Sequence, residues 1–213
     1  MSGALKLKVC GMRDPENIRA IAALQPNYMG FIFYDKSPRY VGQEFVLPEI
    51  SEEIKRVGVF VNAPNEEIHN AVAAHKLSIL QLHGNETVAQ LKALADAGIA
   101  VWKAFGIDAG FDFSSVEPYA PYVKGFLFDT RGKHYGGNAK TFDWSVLQQY
   151  NQRVPFMLSG GLSSGNISAA RHLTSMNLHG FDVNSGVESA PGVKDPDRVK
   201  AVLAEMRRLI DYK

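Results

Sequence analysis

Short apolar runs rich in β-branched and aromatic residues recur along the chain, each followed by a polar turn and then a stretch with helical spacing. The eight runs are Leu5 to Cys10, Tyr28 to Phe33, Arg56 to Val61, Ser78 to His83, Ala100 to Phe105, Val123 to Asp129, Pro155 to Ser159 and Gly180 to Asn184. Their ends lie roughly 25 residues apart, the span of a strand plus a crossover helix. Helix starts are marked by Asp14-Pro15-Glu16, with Ile18, Ile21, Ala22 and Leu24 on one face, by Asn65-Glu66-Glu67, and by Asn85-Glu86-Thr87 ahead of a helix that Gly98 ends. Further helices are expected over 163–174 and 195–210, the last with Val199, Val202, Leu203, Met206 and Ile210 as its buried stripe. Pro118 and Pro121 break up the crossover between the fifth and sixth runs, which should be short or irregular. Runs apolar on both faces and joined by helices imply a parallel sheet. Eight such units point to a closed (β/α)8 TIM barrel of the α/β class, with an open doubly wound sheet as the alternative.

Composition narrows the function classes. At 213 residues the chain is expected to form one catalytic domain over 1–213. Lys plus Arg number 23 against 22 Asp plus Glu, an interspersed net charge of +1 that offers no global attraction to nucleic acid or to a membrane surface. The opening Met1 to Lys8 lacks a signal-peptide core and no apolar run approaches the roughly 18 residues of a spanning helix, so a cytoplasmic location is expected. One cysteine, Cys10, excludes an internal disulfide and a Cys-rich zinc site. The histidines at 69, 75, 83, 134, 172 and 179 show no compact metal-binding spacing. Cys10-Gly11-Met12-Arg13 stands where a dinucleotide fingerprint would follow the first strand, which argues against a nicotinamide cofactor.

The chemically unusual residues fall at one end of the runs, where both candidate architectures carry their sites. Ser159-Gly160-Gly161-Leu162-Ser163 and Asn184-Ser185-Gly186-Val187-Glu188 are glycine-bearing turns after the seventh and eighth strands, suited to presenting backbone N–H groups to a phosphate. Glycine in tight strand-to-helix turns has a purely structural reading as well. Gly136 to Thr141 ends like a P-loop but lacks the glycine before Lys140. Cys10 and Asp129 would face each other across the mouth, a thiol and a carboxyl able to serve as base and acid. The bland readings are a buried small hydrophobe and a turn cap. As a base, Cys10 needs cations or helix N-termini to lower its pKa; as an acid, Asp129 needs burial or an anion to raise its own. Arg39 has the planar fork for a carboxylate or simply stands in solvent, and His83 lines the pocket or hydrogen-bonds at its strand end.

Taken in order, these segments resemble the phosphoribosylanthranilate isomerases. The resemblance runs nearly end to end through Lys8-Val9-Cys10-Gly11-Met12, the distinctive 30–41 segment with Ser37-Pro38-Arg39, 57–62, Leu80-Gln81-Leu82-His83-Gly84, Phe128-Asp129-Thr130, Phe142-Asp143-Trp144, 158–162 and 181–188. It implies a cofactor-free Amadori rearrangement of a small phosphosugar in tryptophan biosynthesis, with Cys10 as general base and Asp129 as general acid. It further implies Arg39 on the anthranilate carboxylate and Gly160, Gly161, Ser185 and Gly186 on phosphate. His83 and Asp182 are expected among the substrate-binding residues, no metal is expected, and the chain is expected to be a monomer or homodimer. The family's usual Gly-Gly-Thr-Gly before Phe-Asp-Trp is replaced by Gly136-Gly137-Asn138-Ala139-Lys140-Thr141, which implies a different motion of the loop after strand six. Histidine-pathway isomerases usually carry Asp at the base position and indole-glycerol-phosphate synthases a lysine-rich site. A noncatalytic phosphate sensor would need neither Cys10 nor Asp129.

Overall fold

Eight parallel strands close on themselves in sequence order: β1 Lys6–Val9, β2 Tyr28–Ile32, β3 Lys55–Phe60, β4 Ile79–Leu82, β5 Val101–Ile107, β6 Gly125–Thr130, β7 Phe156–Ser159 and β8 Leu178–Val183. Closure is made where Lys6, Leu7, Lys8 and Val9 of β1 pair with Gly180, Phe181, Asp182 and Val183 of β8, so the open sheet is excluded. The structure is a computed structural model, and it describes residues 4–130 and 144–211.

The main α-helices are α1 Pro15–Ala22, α2 Asn65–His75, α3 Val88–Asp96 and α4 Pro196–Asp211. Asp14 caps α1 by accepting a hydrogen bond from Asn17 N at 2.8 Å, with Pro15 pre-set for the first turn. α3 starts later than its polar run implied, because Thr87 is the residue that caps Gln90 N. The preceding Glu86 is instead buried and takes hydrogen bonds from Asn62 N and Gly84 N. The expected helix over 163–174 is a 3-10 helix, Ile167–Ser175, because Asn166 turns back to accept from Ser163 N and donate to Gly161 O. The β5–β6 crossover is likewise a 3-10 segment, Phe113–Tyr122, containing both prolines. The β2–β3 connection, 33–54, carries no helix and departs from the regular alternation. Along α4, Val199, Val202 and Met206 are buried as expected, while the side chain of Ile210 lies outside those described. A two-stranded hairpin that the hydrophobic pattern does not signal, β9 Glu188–Ala190 with β10 Val193–Lys194, follows β8.

The core has an outside and an inside. Leu7, Val9, Phe128, Phe181 and Val183 pack outward with the residues of α1 and α4, and Leu80 and Leu82 pack with those of α2 and α3. Val57, Trp102, Ala104, Leu127 and Met157 form a separate cluster without helix residues, which fills the barrel interior. Above them sit Cys10, Ile32 and Val59.

Candidate active site

Strand alternation decides which side chains enter the barrel. Because Leu7 and Val9 face outward, Lys8 between them faces in; the same logic sends Gln81, Asp129 and Asp182 inward from β4, β6 and β8. Cys10 continues this inward series one residue past β1, its N–H donating to Val183 O at 2.9 Å. At the C-terminal ends of the strands these residues open onto a cavity of about 360 Å3. Cys10, Arg39, His83, Asp129, Gly160, Gly161, Asp182 and Ser185 all border it. Gly186 sits behind, where a Cβ would lie 2.1 Å from Leu162 O, so its lack of a side chain lets the β7 and β8 turns touch.

The floor beneath Cys10 is charged. Lys8, fully buried, donates to both carboxylate oxygens of Asp182 at 3.0 and 2.9 Å, and its charge acts on the neighbouring Cys10 thiol. Burial opposes the charge on Lys8, yet Asp182 and Cys10 hold its pKa above the ordinary value. Asp182 is pushed up by burial, with Lys8 opposing. Burial also pushes the Cys10 thiol up; Lys8 and Lys194 pull against it and Asp182 adds to it. The thiol therefore sits above its usual range, opposite to the direction its expected role requires, although cations are in place beside it.

The rim over Cys10 is built by the hairpin. Arg39 Nε and Nη2 donate to Glu188 Oε1 and Oε2 at 2.8 and 2.6 Å, while Lys194 Nζ meets Glu188 at 2.5 Å and Asn184 Oδ1 at 2.6 Å. Gly192 N adds a bond to Glu188 at 2.9 Å. Burial disfavours the Glu188 carboxylate, but hydrogen bonds from Arg39, Lys194 and Gly192 outweigh it and hold the group at about 2. Two cations thus share one carboxylate beside the thiol. Arg39, expected to meet a ligand carboxylate, is already oriented by a bidentate protein partner.

Across the cavity, His83 Nε2 lies 3.4 Å from Asp129 Oδ2, both side chains about a third exposed at 33% and 32%. Gln81 Nε2 contacts His83 Nδ1 at 3.1 Å; with the amide as donor, Nδ1 accepts and the ring proton lies on Nε2, facing Asp129. Another edge of the cavity is the β7 turn, where Gly160 and Gly161 have φ of +105° and +64°. These left-handed angles favour glycine, and a Cβ on Gly160 would strike Thr130 Oγ1 at 2.3 Å, whereas Gly161 faces open space.

Sequence reasoning did not single out Lys8, Gln81, Glu188 or Lys194. For Lys8 a signal exists: a lysine between Leu7 and Val9 in a strand otherwise covered by apolar packing has to find a partner inside. Glu188 and Lys194 are brought together only by the unforeseen hairpin. The atypical 136–141 segment, His134 and the Phe142-Asp143 pair lie outside the described residues. Among the described residues no cluster of three or more His, Cys, Asp or Glu side chains is arranged to hold a metal.

A closed barrel with a thiol, carboxyls, cations and a glycine-lined turn converging at the strand C-termini has the form of a (β/α)8 enzyme site. The sequence profile of the N-(5'-phosphoribosyl)anthranilate (PRA) isomerase family matches residues 7–205. A relative from Parabacteroides distasonis, named N-(5'-phosphoribosyl)anthranilate isomerase, is 44% identical over 94% of this chain and 92% of its own length. The crystal structure of phosphoribosyl anthranilate isomerase from Thermotoga maritima superposes with a TM-score of 0.84 at 33% identity, covering 96% of this chain and 99% of that one. A phosphoribosyl anthranilate isomerase crystallised with reduced 1-(o-carboxyphenylamino)-1-deoxyribulose 5-phosphate superposes at 0.80 with 30% identity over 96% and 99%. The chain belongs to the N-(5'-phosphoribosyl)anthranilate isomerase family.

Proposed function

We propose that this chain, acting as one catalytic domain over 1–213, performs the family's Amadori rearrangement with Cys10 as general base and Asp129 as general acid. N-(5-phosphoribosyl)anthranilate becomes 1-(2-carboxyphenylamino)-1-deoxyribulose 5-phosphate. Asp129 gives a proton to the ribose ring oxygen as the C1′–O bond breaks and the anilino nitrogen forms an iminium. Cys10, as thiolate, takes the C2′ proton, and the electron pair of that C–H bond neutralises the iminium to leave an enolamine. Tautomerisation of the enolamine, with the enol proton lost and one gained at C1′, yields the ketose.

The observation that carries this reading is that Cys10, at the end of β1, and Asp129, on the non-adjacent strand β6, border one cavity, with the glycine turns at its edge. Gly160, Gly161, Ser185 and Gly186 hold the phosphate, which orients the sugar remotely from the reacting carbons. Arg39 meets the anthranilate carboxylate from its Glu188 mount, while His83 and Asp182 flank the ribose. The substrate is a small phosphosugar and the reaction runs in the cytoplasm, the enzyme being a monomer or homodimer. Among the described residues no helix is long and apolar enough to cross a membrane.

The test is a fluorescence assay following loss of phosphoribosylanthranilate. Cys10→Ala and Asp129→Asn are each expected to lower kcat by about 10²- to 10⁴-fold, with binding of the reduced product analogue nearly intact. Near-normal turnover in either variant overturns that residue's role.

A further inference from the structure

Lys8 and Asp182 form an ion pair inside the barrel, 0% and 4% exposed, directly under the thiol. A buried ion pair is a poor source of stability, since well-packed apolar residues of similar volume commonly serve a core as well or better. Its placement calls for another use. Gly30 on the neighbouring strand keeps the space open: a Cβ there would lie 2.7 Å from Cys10 Sγ and 3.1 Å from Lys8 Cε, so sulfur and lysine tip share one small compartment. Among the described residues, the other charged groups around the thiol are Lys194, itself tied to Glu188 and through it to Arg39, and, across the cavity, Asp129 with His83.

We propose that Lys8 is the positioning residue of Cys10: its ammonium, fixed in place by Asp182, is the counter-charge that lets the buried thiol ionise, and Asp182 limits how readily it does so. This rests on the reading of Cys10 as the base. The electrostatics are those of three groups in one compartment. With the thiol protonated, ammonium and carboxylate cancel; ionising the thiol leaves a net negative charge that Lys8 makes tolerable at close range. Lys8 pulls the thiol down more strongly than Asp182 pushes it up. Removing Lys8 charge therefore raises the pH at which Cys10 ionises, and removing Asp182 charge lowers it. Removing both leaves the thiol governed by burial and Lys194, above the native value but below that of the Lys8 variant.

Since Cys10 is the chain's one cysteine, the pH dependence of its alkylation by iodoacetamide reads this ionisation without reference to turnover. The expected order of midpoints, lowest first, is Asp182→Asn, native, Lys8→Met with Asp182→Asn, and Lys8→Met, the last raised by about one to three pH units. Lys8→Met strands a buried carboxylate and risks unfolding, so the double variant, with neither charge left unpaired, carries the test on its own: its midpoint must lie above the native one. Midpoints that coincide, or single variants that move the same way, overturn the proposal. In the kcat/KM profile, the limb coinciding with the native alkylation midpoint should move with it in every variant. Alkylation that shifts in the stated order beside a fixed activity profile upholds the tuning by Lys8 and removes Cys10 from the role of base.

Discussion

A methyl group on Gly30 would press on the Cys10 sulfur at 2.7 Å and on its Cα at 3.1 Å, with backbone on one side and the Lys8 stem on the other. Gly30→Ala should therefore move the thiol by a fraction of an ångström to about 1 Å while leaving the β7 and β8 turns and Arg39 in place, and misplacement of that size costs on the order of 10²-fold in kcat. Steady-state kinetics with the reduced product analogue as competitor checks this: kcat falls, and the inhibition constant stays. Glu188 ties stability to pH. Its folded pKa of about 2 lies below its ordinary value of 4.5, so the stability it contributes is fully present above that value and is lost as the pH falls toward 2. The difference corresponds to about 3 kcal/mol. In urea titrations, the stability gap between the native protein and Glu188→Gln should be widest near neutrality and narrow steadily as the pH falls below 4.5 toward 2; a gap independent of pH contradicts the assignment.

Among the elements, the hairpin Glu188–Lys194 does the most for the site, and nothing in the hydrophobic pattern marks it. Its strands have three and two residues, too short for alternation to register, and it is held by polar bonds instead. Asn17 of α1 accepts from Lys194 N at 2.8 Å and donates to Lys194 O at 2.7 Å, and Arg198 of α4 donates to Glu188 O at 2.5 Å. Asn17→Ala leaves the backbone N–H and C=O of Lys194 without that partner, costing about 1–3 kcal/mol. It should loosen Glu188 and with it Arg39, raising KM more than it lowers kcat. The helices show the same lesson in reverse. Asp14 with Pro15 was readable as a start, because a cap acts on its own next few residues. The shift of α3 from Asn85 to Thr87 was not, because Glu86 is claimed by Asn62 in the turn after β3 and by Lys103, whose Nζ lies 3.1 Å away.

At the scale of the whole molecule, closure is what periodicity cannot express: the eight apolar runs are equally those of an open sheet until Lys6 and Gly180 pair. Once closed, alternation alone brings Cys10, Asp129 and Asp182 to one mouth, which is why residues at the strand ends were readable as a site. The interior ion pair was harder to read, since Lys8 and Asp182 are 174 residues apart and the closing register is the only thing that joins them. The step proposed for the thiol is removal of the C2′ proton. Substrate deuterated at C2′, followed through a single turnover, tests it most directly. The native enzyme should slow by a primary isotope effect in the chemical step, and Cys10→Ala should bind the reduced product analogue yet form product at least about 10²-fold more slowly. Product formation by Cys10→Ala at near-native rate, with the isotope effect retained, would assign the proton to another base and contradict the account.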